Sequence, residues 1–275
     1  MHLFTVDLEE YFQAAALEPY IGRDRWSRTP SRVEAATDYL LDVLAEHGAE
    51  ATFFTLGLVA ERTPSLVRRI ADAGHEIASH GWSHRRVDSL TPAAFRAEVA
   101  RSRDVLEQVS GTAVVGYRAP NFSIVNGCTW AYPILVEEGY RYDSSAFPGR
   151  ASGRHYRSLL QAAPPAPHPT IVPLSCAHFG RLQIPAAGGA WFRLFPYALT
   201  RRALLQAEAR GEAGVFYIHP WELDPGQPQL RVNALTRVRH YGGLQQARSR
   251  LELLLREFRF TGVVRWLDST TVAAA

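Results

Sequence analysis

The sequence predicts an α/β fold, a barrel or distorted barrel of about seven parallel strands. Short apolar runs rich in β-branched and aromatic residues alternate with helical patterns along the chain, as in a mostly parallel sheet wrapped by helices. Seven or so such units fit within 275 residues. No repeat of fixed period and no linker-like tract interrupts them, so residues 1–275 read as one catalytic domain, with 225–275 as an extension packed on it. A doubly wound open sheet is the alternative, and the pattern leaves strand order open.

The first strand is expected at residues 3–6. A helix follows over 31–47, with Val33, Ala36, Tyr39, Leu40, Val43 and Leu44 on one stripe and Gly48 as its stop. Residues 51–56 read as a strand. Thr63-Pro64 opens a short helix that Gly74 closes, because proline in the first turn loses no hydrogen bond. A strand at 76–79 precedes a helix that begins at Thr91-Pro92 and runs to Gly111. Further strands are expected at 114–117 and 140–142, on either side of a helix at 129–138. Residues 150–189 read as irregular, and the proline-rich stretch 162–169 as an exposed loop. Helix returns at 199–210, strand at 215–218 and helix at 244–258, and 263–266 is expected to close the sheet.

Composition removes several chemistries. All 30 basic residues are arginine, and the absence of lysine excludes Schiff-base chemistry, a Gly-Lys-Ser/Thr phosphate loop and a serine-lysine dyad. Arginines read as alternating with the 27 acids throughout, for a net charge of only +3, which argues against a nucleic-acid partner. Cys128 and Cys176 are too few for a four-cysteine zinc site and fit a reducing compartment. No signal peptide and no membrane span is visible, so the expected location is cytoplasmic. Oligomeric state is not legible.

In parallel β/α folds, reactive groups gather where the strands end. Five strand ends here carry ionisable residues: Asp7 with Glu9, His80 with His84, Arg118, Asp143 and His219. Each has a plain structural explanation when taken singly, since chance alone gives about 0.4 His-x-x-x-His pairs in a chain of this composition. Alternation along the first strand points Asp7 and Glu9 to one side, with Leu8 and Glu10 on the other. One side could thus hold a base and a metal ligand.

Taken in order, these residues resemble the polysaccharide deacetylases of the NodB-homology group, carbohydrate esterase family 4. The motifs are T-V-D-L-E-E-Y-F at 5–12, S-H-G-W-S-H at 79–84, Y-R-A-P-N-F-S at 117–123, Y-D-S-S-A-F-P at 142–148 and Y-I-H-P-W-E at 217–222. P-A-A-G-G-A-W-F-R-L-F-P-Y at 185–197, H-P-W-E-L-D-P at 219–225 and R-H-Y-G-G-L at 239–244 extend the likeness to the subfamily associated with exosortase and exopolysaccharide loci. The resemblance implies a distorted (β/α) barrel and metal-assisted removal of N-acetyl groups from hexosamines of a bacterial exopolysaccharide or its precursor. It implies a divalent ion, typically zinc, with cobalt or manganese as alternatives, on His80, His84 and one carboxylate.

By the same resemblance Asp7 is the general base, Arg118 its partner, His219 the acid that protonates the departing amine, and Asp143 the carboxylate that raises the pKa of His219. The backbone N–H near Asn121 would steady the oxyanion, and Trp82, Phe122, Trp191 and Trp221 would contact sugar. The common form of the family has two adjacent aspartates, the second a ligand, whereas Leu8 stands at that place here. Glu9 is therefore assigned as third ligand, with Asp7 as the alternative. An N-acetylated glycan is the expected partner, and peripheral association with membrane-linked polysaccharide synthesis is compatible with it. Other readings of the same residues are a metal-independent cyclic-imide or ureide hydrolase, a catalytically inactive carbohydrate-binding relative, and a glycosidase using Glu9 and Glu222.

Overall fold

Strand β1, His2–Leu8, lies at the centre of the fold and is buried along its whole length. On one edge it pairs with β2, Thr52–Thr55, and on the other with β9, Val215–Ile218, both parallel. A strand flanked on both edges and covered on both faces carries a near-continuous apolar run, which is what residues 2–8 supply apart from His2, Thr5 and Asp7. Beyond β2 the sheet continues in parallel through β3 (Glu76–Ser79), β4 (Gly116–Tyr117), β5 (Tyr142–Asp143) and β6 (Thr170–Ile171). This computed structural model describes residues 1–125, 127–147 and 168–273.

The seven strands from β9 through β6 form a curled half-barrel, and chain beyond β6 approaches its other edge. Ser175 donates its N–H to the carbonyl of Val215 at 3.3 Å, and Tyr217 donates to the carbonyl of Ala187 at 2.8 Å. Gly188 forms a single parallel bridge with Tyr217. Helices pack outside, and the main core joins residues of β1, β2 and β9 to the helices Val33–Glu46, Pro64–Asp72, Pro92–Ser110 and Leu244–Glu257. No helix among the described residues is long and apolar enough to cross a membrane.

Two expectations change, and one element is added. Residues 263–266 belong to a helix, Val263–Ala273, because its first N–H groups find acceptors: Val263 on Thr52 Oγ1 at 2.8 Å and Val264 on Glu76 Oε2 at 3.0 Å. The short strand beside it is β10, Phe260–Thr261, paired with His2 and Leu3. The stretch expected to be irregular contains β6 and an antiparallel hairpin, β7 (Cys176–Phe179) with β8 (Leu182–Pro185), turned at the left-handed Gly180. Its proline-rich part falls within residues 148–167, outside the described residues, apart from His168 and Pro169. A further helix, Gly57–Arg62, is only six residues long, too short to show a period.

Gly188 has φ +141°, and a Cβ there would meet the backbone oxygen of Tyr217 at 1.8 Å. Only glycine lets this edge approach β9. Gly188→Ala should therefore cost about 3 kcal/mol, read as a fall in thermal midpoint of about 10 °C.

Candidate active site and metal centre

The carboxyl ends of the strands open into a cavity of about 1170 Å³ that brings Asp7, Glu9, His80, His84, Asn121 and His219 together. Asp7 is in β1 and Glu9 follows it, both buried, while Leu8 points the other way into the core. Glu10 also turns away, accepting from Ser31 Oγ and from the Arg32 N–H. The alternation read from the sequence thus separates two functional carboxylates from one structural one.

His80 and His84 lie on the turn after β3. Gly81 takes φ +76° and His84 itself φ +57°, a conformation costly for a residue with a Cβ. Glu98, on the helix Pro92–Ser110, holds this turn by accepting from the N–H groups of Trp82 and Ser83, each at 3.1 Å, and from Ser83 Oγ at 2.8 Å. Arg23 adds a bond to the carbonyl of His84 at 2.9 Å. A carbonyl can only accept, so the 2.9 Å contact between His80 Nδ1 and the Arg118 oxygen makes Nδ1 the donor. That leaves Nε2 with a free lone pair, the tautomer a metal ligand needs.

Glu9, His80 and His84 each bring a ligand atom within 4.8 Å of the others. Glu9 Oε2 is 2.8 Å from His84 Nε2, yet it is a buried oxygen without an aligned hydrogen bond. Two donor atoms so close and so poorly aligned to each other fit a shared divalent cation. Burial alone would raise the pKa of Glu9, but His84 and then the other histidines hold it down to about 2, so the carboxylate is ionised. Burial lowers His80 to about 4, which keeps the imidazole neutral. This donor set has the composition of a catalytic zinc site, three protein ligands of N and O type.

Asp7 accepts from Arg118 Nη1 at 2.7 Å, with Arg118 fully buried. The same guanidinium donates to the Ser144 carbonyl at 3.1 Å and to Ser144 Oγ at 2.9 Å. Across the cavity, Nε2 of His219 lies 3.8 Å from Asp7 and 3.7 Å from Glu9.

The partner of His219 is Glu222, not Asp143. Glu222 Oε2 receives the Nδ1 bond at 2.9 Å, and Arg193 Nε donates to Oε1 at 2.6 Å. Burial would lower the pKa of His219, but the charge and hydrogen bond of Glu222, followed by Glu9 and Asp7, raise it to about 9. Arg193 and His219 in turn hold Glu222 down to about 2 against its burial. Both oxygens of Glu222 are engaged, which removes it as a glycosidase carboxylate.

Asp143 instead accepts from Ser145 through its N–H at 3.1 Å and its Oγ at 2.5 Å, and burial pushes it up to about 7. Ser145 Oγ accepts from the N–H of Ala119 at 2.8 Å, so Asp143 braces the loop that carries Arg118. Trp82 is also corrected: it is buried against Gly57 and under the Arg101 guanidinium, away from the cavity. Trp221 lines the cavity but stacks on His219 and on His240 and donates Nε1–H to Glu9 Oε1 at 3.1 Å, positioning that carboxylate. Phe122 and Trp191 line the wall, Trp191 stacked on Phe195. Asn121 and Phe122 have φ of +56° and +52°. Glu98, Arg193 and the role of Glu222 escaped the sequence reading; the H-P-W-E spacing, three residues from histidine to glutamate, was the available signal for the last.

Fold and site together define a (β/α) half-barrel with a His-His-Glu cluster facing an aspartate and a histidine. Residues 26–132 match the family model described as polysaccharide deacetylase, and residues 145–268 match a domain of unknown function (DUF3473). The chain carries a polysaccharide deacetylase domain of the NodB-homology type, carbohydrate esterase family 4. It is similar to the peptidoglycan-N-acetylglucosamine deacetylase of Bacillus cereus, 35% identical over 34% of this chain and 35% of that protein. It is also similar to the chitooligosaccharide deacetylase of Sinorhizobium fredii, 50% identical over 30% of this chain and 40% of that one. The matched stretches thus span about two-fifths or less of these relatives. A solved Mycobacterium smegmatis structure assigned to the polysaccharide deacetylases superposes with TM-score 0.62 and 23% identity, over 99% of this chain and 90% of that one, and shares the fold.

Two outcomes test the supports of this site. Glu98→Ala should weaken metal affinity by about tenfold or more, measured against a competing chelator. The folded pKa of His219, about 9, exceeds its ordinary 6.5, so its stabilisation is complete below pH 6.5 and lost as pH rises through 9. Glu222→Gln should flatten that slope in urea titrations of the metal-free protein. It should also lower stability at every pH by about 3 kcal/mol, because Arg193 is left buried without its counter-charge.

Proposed function

We propose that this protein removes N-acetyl groups from hexosamine units of a bacterial exopolysaccharide or its precursor, using a divalent ion, zinc before cobalt or manganese. The observation that carries the reading is the convergence on one cavity of Glu9, His80 and His84 with Asp7 and the Nε2 of His219. A cation on the first three residues supplies Lewis acidity, which makes water more acidic and an amide carbonyl more electrophilic.

The rest of the chemistry belongs to the chain. Asp7, oriented by its bond from Arg118, accepts a proton as water adds to the acetamide carbon. The N–H near Asn121 donates to the oxygen that gains charge. His219 enters protonated, because Glu222 stabilises the imidazolium, and gives its Nε2 proton to the nitrogen as the C–N bond breaks. Acetate and a free amine result.

The wall formed by Phe122 and by Trp191 on Phe195 offers apolar faces to sugar rings. The DUF3473 match over residues 145–268 is compatible with an exopolysaccharide role. We read 225–275 as part of the same catalytic domain, a reading supported by Leu251, Leu254, Phe258 and Phe260 in the core shared with β1. Two buried, unpaired cysteines fit a cytoplasmic setting.

The test is acetate release from N-acetylhexosamine oligomers with zinc, cobalt and manganese supplied in turn. Asp7→Asn should lower kcat/KM by about 10²- to 10⁴-fold, and His80→Ala should abolish both tight metal binding and turnover. No acetate with any of the three metals would refute the proposal.

A further inference from the structure

The expectation that arginines and acids alternate throughout fails in the second half of the chain. Residues 144–207 contain seven arginines and no acid, and residues 225–251 contain five arginines and no acid. Both stretches border the mouth of the cavity, through Trp191, Leu194 and Phe195 from the first and Arg239 from the second. The acids of the first half thus have no counterpart along this rim.

The same rim exposes apolar side chains. On the helix Ala234–Tyr241, Leu235 and Val238 lie on the exposed side, and Arg237 and Arg239, both exposed, flank Val238 about 100° round the helix to either side. Leu235 is 78% exposed and Val238 57%. The end of this helix adjoins Leu194, whose Cδ2 lies 2.7 Å from where a Cβ on Gly242 would sit, and Arg193 Nη2 donates to the Arg239 carbonyl at 3.0 Å. Leu194 and Phe195 are exposed in turn, 38% and 42%. Arg237 and Arg239 enter no ion pair among the described residues. An exposed leucine and valine have no use for a soluble anionic polymer, and free arginines have none for a neutral apolar partner. Both suit one surface, a bilayer with anionic headgroups, where arginine meets phosphate and the apolar tips enter the boundary with the acyl chains.

We propose that Leu194, Phe195, Leu235 and Val238, with Arg237 and Arg239, form a docking surface for an anionic phospholipid leaflet, turning the cavity mouth toward the membrane. Docking of this kind is independent of the reaction carried out in the cavity.

The experiment is co-sedimentation of the full chain with vesicles of phosphatidylglycerol and phosphatidylethanolamine, and with vesicles of phosphatidylcholine alone, at low and high salt. Binding to the anionic vesicles is expected, weakened by salt, and at least tenfold weaker on phosphatidylcholine. The double variant Leu235→Glu/Val238→Glu should lose at least tenfold in affinity while keeping its metal affinity and thermal midpoint. Arg237→Ser should weaken binding to the anionic vesicles only. The proposal is overturned by absent binding, by equal binding to both vesicle types, or by an unchanged affinity in the double variant. It is equally overturned if the soluble anionic polysaccharide alginate binds the rim and displaces the vesicles with no loss in the double variant, or if that variant instead dissolves a dimer present without lipid.

Discussion

The buried ion pair between Asp7 and Arg118 is the constraint around which the site is arranged. It joins the end of β1 to the residue after β4 across two intervening strands, with the guanidinium fully buried and the carboxylate nearly so. A charge removed from water in this way is stable only while its partner and its hydrogen bonds are present. Arg118 meets that condition with Asp7, Ser144 Oγ and the Ser144 carbonyl, and its own carbonyl fixes the tautomer of His80. One residue thereby sets the orientation of Asp7, the tautomer of His80 and the position of the loop after β5.

The second half of the chain contributes to the site and does not merely cover it. His219, Glu222, Trp221 and Arg193 all fall in the region matched as a domain of unknown function. Arg193 is anchored by the carbonyls of Arg239 and Gly242, so the charge on His219 traces back through Glu222 to the helix Ala234–Tyr241. Trp221 links this half to the first through its bond to Glu9. Asp7 and Glu9 precede both matched regions, and the cavity needs all three segments.

Much of the fold was legible because its strands and helices have clean periods and stops, as at Thr91-Pro92 and Gly111. What was not legible depends on contacts distant in sequence. Residues 263–266 have strand-like composition, but acceptors on Thr52 and Glu76 make them the first turn of a helix. Asp7, Glu9, His80, His84, Arg118 and His219 could be picked out because strand ends and alternation are local properties. Asp143 and Glu222 could not be told apart as partners of His219: both are acids near a motif, and only the turn Pro220–Leu223 brings the glutamate back onto the imidazole. Trp82 looked like a sugar platform because it lies within the S-H-G-W-S-H motif, yet Gly57 leaves a slot that its ring fills.

Leu8 is fully buried among Phe4, Val6 and the helices behind β1. On this backbone an aspartate at that position would point into hydrocarbon and away from the histidines, and the carboxylate facing them would still be that of Glu9. The adjacent-aspartate arrangement of the family's common form is therefore not one substitution away. A lineage passing between the two forms has to shift the end of the strand and replace the ligand together, since either change alone leaves a protein with a charge in its core or a cation site one donor short. The spacing of the two carboxylates is thus a property of the backbone around Leu8 and not of the two acids alone.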